Sequence, residues 1–137
     1  MTRRIHPRLP CLVGTSRRTW RDADAPEPIE MWADVVAAAV RDVGPRRTVS
    51  EIDDLSLVRP MSWAYDDPAR RLCDRLGVVG VRTEVSIFAG TAPQRLLDEA
   101  ALRILQGASD VAVVVGGEAL ATRRRHVLDG RLPSWSW

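Results

Sequence analysis

The segment Glu84–Leu105, EVSIFAGTAPQRLLDEAALRIL, reads as a strand, a turn of small residues and a helix. With Thr91 as N-cap, Gln94 falls at N3, so T-x-x-Q has the spacing of a capping box, and Ala92 and Pro93 fill the tolerant first turn. Free backbone N–H groups and the helix dipole at such a start stabilise an anion, whether thiolate or oxyanion. No nucleophile stands at this turn. Gly90 has no side chain, and Thr91 has no base beside it. On local chemistry alone the joint is a helix start, and helix caps are far more often structural than catalytic.

The other reactive residue types are scattered. VVVGGEAL places Gly116 and Gly117 at a strand end, where backbone approaches another segment or a ligand closely. The spacing fits neither G-x-G-x-x-G nor the Walker pattern, so a nucleotide-binding reading rests on these two glycines alone. Glu118 follows with no His to accompany it, and reads as a local hydrogen-bond acceptor. Cys73 has Arg70, Arg71 and Arg75 nearby, which would lower a thiol pKa, but it shares a helix face with Leu72 and Leu76 and reads as a packed core thiol. Cys11 falls in the short apolar run Cys11–Gly14. His6 and His126 belong to no metal-ligand spacing and no triad, so no metal site is expected. Arg123, Arg124 and Arg125 read as a solvated charge run rather than a phosphate site.

Composition narrows the function classes. The 137 residues carry a formal charge of +2 with both signs interspersed, which predicts no nucleic-acid partner. Every basic residue is Arg, so Schiff-base chemistry on a lysine is excluded. Two distant cysteines make neither a disulfide framework nor a metal knuckle, and a cytoplasmic location is expected. No stretch is long and apolar enough for a membrane helix or a signal peptide.

These residues must be positioned by alternating elements. Cys11–Gly14 reads as a first strand and Thr15–Pro28 as a loop. Trp32, Val35, Val36, Ala39, Val40 and Val43 recur at helical spacing before Gly44. Ile52–Pro60 reads as a second strand, and a helix follows with Asp66 or Asp67 as cap, Pro68 at its first position and Gly77 at its end. Thr83–Gly90 is a third strand. Leu96, Leu97, Ala100, Ala101, Ile104 and Leu105 give the next helix a broad apolar face. Asp110–Gly117 is a fourth strand whose unbroken apolar character suits burial on both faces. Strands alternating with helices predict an α/β fold, a mainly parallel sheet of about four strands with helices on both faces, over a single domain 1–137. Residues 122–137 read as a basic tail whose Trp135 and Trp137 have no element to cover them.

Three segments, DDPARRLCDRLG, SIFAGTAPQRLLDEAALRILQGASDVAVVVGGEAL and ATRRR, resemble the amino-terminal part of a thiolase, in particular the acetyl-CoA acetyltransferase group related to sterol-carrier-protein thiolases. The resemblance extends more loosely from Cys11 to about Arg125. It implies a thiolase-like half-domain and acyl transfer between coenzyme A thioesters through a cysteine acyl-enzyme, with the thioester as substrate and no separate cofactor. Counting back from Asp110 puts the family's nucleophile position at Gly90. A catalytic cysteine is therefore absent, and the histidine motifs, second cysteine and most coenzyme A contacts of the family have no counterpart in this chain. The implied reading is an acyltransferase portion inactive by itself. The alternative is a non-catalytic assembly module that forms a homo- or hetero-oligomer with a thiolase-like chain or docks on an acyl-CoA-binding partner.

Overall fold

The computed structural model describes residues 6–21 and 25–136. Its elements are α1 (Pro28–Val43), a 3-10 turn at Val49–Glu51, β1 (Asp54–Leu57), α2 (Pro68–Leu76), β2 (Arg82–Val85), α3 (Ala92–Gln106), β3 (Ala112–Val115) and α4 (Leu120–Leu128). The strands are parallel in the order β2-β1-β3, with Leu55 opposite both Thr83 and Val113. The α/β class and the parallel sheet are as the sequence predicts.

β1 sets the architecture because all four of its residues are buried although two are polar. Leu55 and Leu57 enter an apolar core with Trp32 and Val36 of α1, Ala69 and Leu72 of α2, and Val81 and Val115. Alternation along a strand sends Asp54 and Ser56 to the opposite face, where α3 lies. There Arg103 of α3 donates to Asp54 through Nε and Nη2, and to Ser56 Oγ at 3.2 Å. Arg82 Nη1 reaches Asp54 Oδ1 at 3.4 Å. Glu84 completes the cluster, 3.1 Å from Arg82 and 3.6 Å from Arg103. Burial pushes the Glu84 carboxyl pKa up, but hydrogen bonding with Arg82 and Glu99 and the charges of Arg82 and Arg103 outweigh it, and the net direction is downward. One face of the sheet is thus sealed by apolar side chains, the other by an ion-pair network.

Helix ends follow local chemistry. Pro28 and Pro68 begin α1 and α2, where a missing N–H is harmless. The Asp67 carboxylate accepts from Arg70 N at 3.0 Å, and Gly77 closes α2 with a left-handed φ of 71°. The C-terminus of α3 is held by Arg8, which donates to Ile104 O and Ser109 O at 2.8 Å and pairs with Asp110 at 2.6 Å, a cation placed at the negative end of the helix dipole. Asp53 accepts from Ser109 Oγ, Asp110 N and Val111 N and so fixes the entry to β3.

Several expectations are corrected. Among the described residues the sheet has three strands: Cys11–Gly14 forms none, and Cys11, Leu12 and Val13 are exposed. That segment has no ladder partner and lies instead along α1, with Gly14 so close that a Cβ there would fall 2.4 Å from the Ala39 carbonyl oxygen. Among the described residues the strand predicted at Asp110–Gly117 pairs on one side only and is half-buried, because β1 takes the centre. The apolar arc of α3 is wider than the sheet beneath it. Leu96 and Ala100 are buried, while Leu97 and Leu105 stay exposed. The basic tail divides, since Thr122 to Leu128 belong to α4. Trp135 is not left uncovered but packs edge-on against Trp63 with centroids 5.3 Å apart, while Ser136 donates twice to Glu27 at 2.9 Å. Trp137 lies outside the described residues. Among the described residues no helix is long and apolar enough to cross a membrane.

The two thiols sit in opposite surroundings. Cys11 is exposed and Cys73 is buried among core residues. Burial pushes the Cys73 thiol pKa up, against the pull of Arg70. Below the unfolded thiol's pKa of about 8.5 both states hold the proton; above it the unfolded chain ionises first, so stability falls as the pH rises past that point. Iodoacetamide at neutral pH is expected to modify Cys11 in the folded protein and Cys73 only in denaturant, as read by mass spectrometry, and Cys73→Ala should flatten the alkaline loss of stability. Equal labelling of both thiols under native conditions would contradict this packing.

Candidate functional site at the carboxyl ends of the strands

In a parallel sheet the loops that leave the carboxyl ends of the strands are the ones free to build a site. Here they are Val58–Arg59 after β1, Ser86–Gly90 after β2 and Gly116–Glu118 after β3. A cavity of about 490 Å³ lies among Val58, Arg59, Pro93, Leu97 and the run Val114–Glu118. Its walls come from two strand exits and the first two turns of α3. It is an open hollow, since Arg59, Pro93, Leu97, Gly116 and Glu118 of its lining are exposed.

Gly116 allows this convergence. A Cβ there would fall 2.8 Å from Val58 Cβ, so a larger residue would force the exits of β1 and β3 apart. The Gly117 carbonyl accepts from Trp32 Nε1 at 3.2 Å, which ties the loop to the core. Glu118 is held from both sides, its Oε1 accepting from Met61 N at 2.6 Å and its Oε2 from Ser62 N at 2.8 Å. Ser62 Oγ in turn accepts from Ala119 N at 3.2 Å. With each Glu118 oxygen holding a backbone N–H, this carboxylate works as a brace between two loops.

The helix start differs from the expected capping box. Thr91 has φ −89° and ψ −2°, already near helical values, and its side chain caps nothing. Gln94 donates to Asp98 at 2.8 Å instead of reaching back. The chain enters α3 through a backbone turn, Ala92 N donating to Ala89 O at 3.0 Å, which brings Thr91 into the helix before its hydroxyl can cap it. Gly90, Thr91 and Gln94 are all exposed and none lines the cavity, whereas Gly116, Gly117 and Glu118 all do. A Cβ at Gly90 would meet nothing within 4 Å, and the residue does not have a positive φ. The turn therefore has room for a side chain that the sequence does not supply.

Two site residues escape the sequence patterns. Arg59 donates from Nε to Ser86 O at 3.1 Å and from its backbone N to Ser86 Oγ at 3.0 Å. Its guanidinium lies 5.5 Å from the Phe88 ring centroid. Ser86 is buried, so this clamp fixes the path from β2 towards Gly90. Arg59 sits directly after a strand and before Pro60, which reads as a strand terminator and hides its second role. A further hollow of about 330 Å³ lies on the other side of Gly117–Ala119, bordered by Arg18, Trp20, Arg21 and Arg125. Arg18 is paired with Asp34 at 2.8 Å and stacked 4.7 Å from the Trp20 ring centroid. Among the described residues no three His, Cys, Asp or Glu side chains gather as a metal site.

No protein-family model matches the chain, and no curated protein is similar to it. Solved structures do resemble it. A monomeric SCP2-thiolase-like protein type 1 from Mycobacterium smegmatis superposes with a TM-score of 0.70 at 24% identity, over 82% of this chain and 24% of that one. OleA from Xanthomonas campestris, a C143S form with lauric acid and lauroyl-CoA bound, gives 0.67 at 24% identity over 88% and 35%. The 3-oxoacyl-[acyl-carrier-protein] synthase III of Aquifex aeolicus VF5 gives 0.64 at 21% identity over 75% and 33%. The fold is accordingly a thiolase-like α/β fragment, and the chain spans about a quarter to a third of the length of these proteins.

Proposed function

We propose that the chain is the amino-terminal portion of a thiolase-like acyl-CoA acyltransferase, of the acetyl-CoA C-acetyltransferase or sterol-carrier-protein type, in which the acyl-handling framework is kept and the covalent step is lost. The observation that carries this reading is Gly90. It follows β2 and precedes α3 by two residues, the position at which the thiolase resemblance puts the nucleophile. In the thiolase route a thiolate attacks the thioester carbonyl, the carbon–sulfur bond to coenzyme A breaks, and the acyl group stays on the enzyme. A residue without a side chain cannot accept that group. Cys73 cannot replace it, being buried in the core with a raised pKa, and Cys11 lies on the segment along α1.

The test uses the open space at the turn. Incubation with labelled acetyl-CoA and acetoacetyl-CoA should leave the chain without an acyl adduct and give no thiolysis. Gly90→Cys should fold normally, as judged by circular dichroism. Its new thiol, at the amino end of α3, should react with iodoacetamide about tenfold faster than Cys11 near neutral pH, because the helix terminus favours the thiolate. A covalent acyl group on the unsubstituted protein, or turnover by it, would refute the non-covalent reading.

A second reading, a module that assembles with a thiolase-like chain, is favoured by one observation: Leu97, Leu102 and Leu105 of α3 and Ile87 and Phe88 before it are all exposed. Exposed apolar side chains mark interaction sites where they join into one patch. Sedimentation is expected to show concentration-dependent association that Leu105→Asp reduces. A monomer at all concentrations, unchanged by that substitution, would count against assembly through this helix.

A further inference from the structure

We propose that the cleft between the start of α1 and the Met61–Tyr65 loop is a peptide-binding site, filled by the chain's own Pro133–Ser136, and that the partner it fits is the same segment of a second copy. The site stands apart from the acyl-transfer reading and from association through α3.

The walls of the cleft are held by contacts that do not involve the segment. Glu27 stands at the N-cap of α1, and its Oε2 accepts from the Tyr65 hydroxyl at 3.3 Å. Tyr65 is fixed in turn by Ile29 N, which donates to its oxygen, and by an edge-on contact with Trp32, ring centroids 5.8 Å apart. Trp63 belongs to the core, and the loop that carries it is braced by Glu118 through Met61 N and Ser62 N. Two elements thereby offer a carboxylate and an indole N–H to one residue of the segment.

That residue is Ser136. Trp63 Nε1 donates to its carbonyl oxygen and Glu27 Oε2 accepts from its backbone N at 2.9 Å, so both main-chain groups are clamped. Main-chain hydrogen bonds give a peptide site affinity, and contacts with particular side chains give it selectivity. The selective contacts are Trp135, edge-on to Trp63 at 5.3 Å and packed on the core, Pro133, which is buried, and the Ser136 hydroxyl, which donates to Glu27 at 2.9 Å. The cleft therefore takes a Pro-x-Trp-Ser segment.

The occupant is separable from the fold. Leu132 to Ser136 belong to no helix or strand, and among the described residues no backbone–backbone hydrogen bond involves them. They follow Gly130, which turns the chain after α4 with a φ of 71°. A segment held by a few side chains and no ladder opens at low free energy. Once out, it meets an identical cleft on another copy, and the exchange preserves every contact. Within one copy the tether favours the resident segment, so exchange shows when that segment's anchor is removed.

Fluorescence anisotropy with a labelled peptide of residues 131–136, RLPSWS, tests the cleft on full-length chains. The Trp135→Ala chain, whose resident segment is loosened, is expected to bind the peptide at least about tenfold more tightly than the native chain, whose cleft is open in only a small fraction of molecules. Adding Glu27→Ala should weaken that binding about tenfold, and the peptide carrying Trp135→Ala should not bind. Mixing two chains tests the partner. Trp135→Ala keeps the cleft and Trp63→Ala keeps the segment, and both carry Leu105→Asp to suppress association through α3. Above the peptide's Kd the mixture should sediment as a one-to-one dimer, and neither chain should dimerise alone. If circular dichroism shows the Trp63→Ala chain unfolded, Trp63→Phe, which keeps a ring and loses the N–H, takes its place. Equal peptide binding by the native and Trp135→Ala chains, binding by neither, or equal binding of the two peptides would overturn the cleft. Peptide binding without a mixed dimer would overturn the second copy as its partner.

Discussion

A carboxylate with 1% of its side chain exposed, Asp54, lies under α3 and is met by Arg103, itself only 13% exposed. The rest of the site depends on this pair. Taking both charges out of water costs several kcal/mol per ion, which their attraction offsets only if the geometry is good and the remaining donors are used. Here they are used: Arg103 also reaches Ser56, and Arg82 also reaches Asp54. The pair need not add to stability over a well-packed apolar substitute. Its consequence is positional. An apolar contact would let α3 slide along the sheet, whereas a forked ion pair to one strand residue fixes the helix in rotation and register, and with it the turn at Gly90 and the cavity wall at Leu97.

Position is then transmitted through short connections. Arg8 and Asp53 hold the carboxyl end of α3 and the entry to β3, while the Arg59–Ser86 clamp holds the chain on its way to the amino end. Gly116 lets the exits of β1 and β3 meet, and Glu118 braces the loops behind them. The polar face of the sheet thus orients the helix, and the carboxyl edge carries the site. Gly90 is exposed and sterically free, so a side chain there would not disturb the joint around it.

Much of this was legible in the sequence, for physical reasons that also mark where legibility stops. Helical spacing, with Gly44 and Gly77 as stops and Pro68 and Pro93 in first turns, located α1, α2 and α3 closely, because those signals are local, although Pro28, read as loop, begins α1. The strand at Cys11–Gly14 failed because a strand exists only with a partner, and no ladder forms there. Reading Asp110–Gly117 as doubly buried failed for a related reason: an apolar run does not reveal whether a strand is central or at an edge. The central strand carries Asp54 and Ser56 in a fully buried setting and looks less apolar than its neighbour. A signal for the ion pair was present, since Arg103 follows Leu96 and Ala100 on the buried face of α3, where a charge requires a buried partner. Thr91 and Gln94 had the correct spacing for a capping box, but the backbone turn at Ala89–Ala92 took over the role. Arg59 was invisible because its meaning depends on Ser86, 27 residues away.

A double-mutant cycle on Asp54 and Arg103 tests the central claim most directly. Urea unfolding of the native sequence, Asp54→Leu, Arg103→Met and the double variant gives the coupling between the two side chains. Each single substitution strands a buried charge and is expected to cost about 3–5 kcal/mol, with the double variant recovering at least about 2 kcal/mol of the summed loss. Additive losses, with coupling below about 0.5 kcal/mol, would mean that α3 is held by its apolar residues alone and would contradict the account.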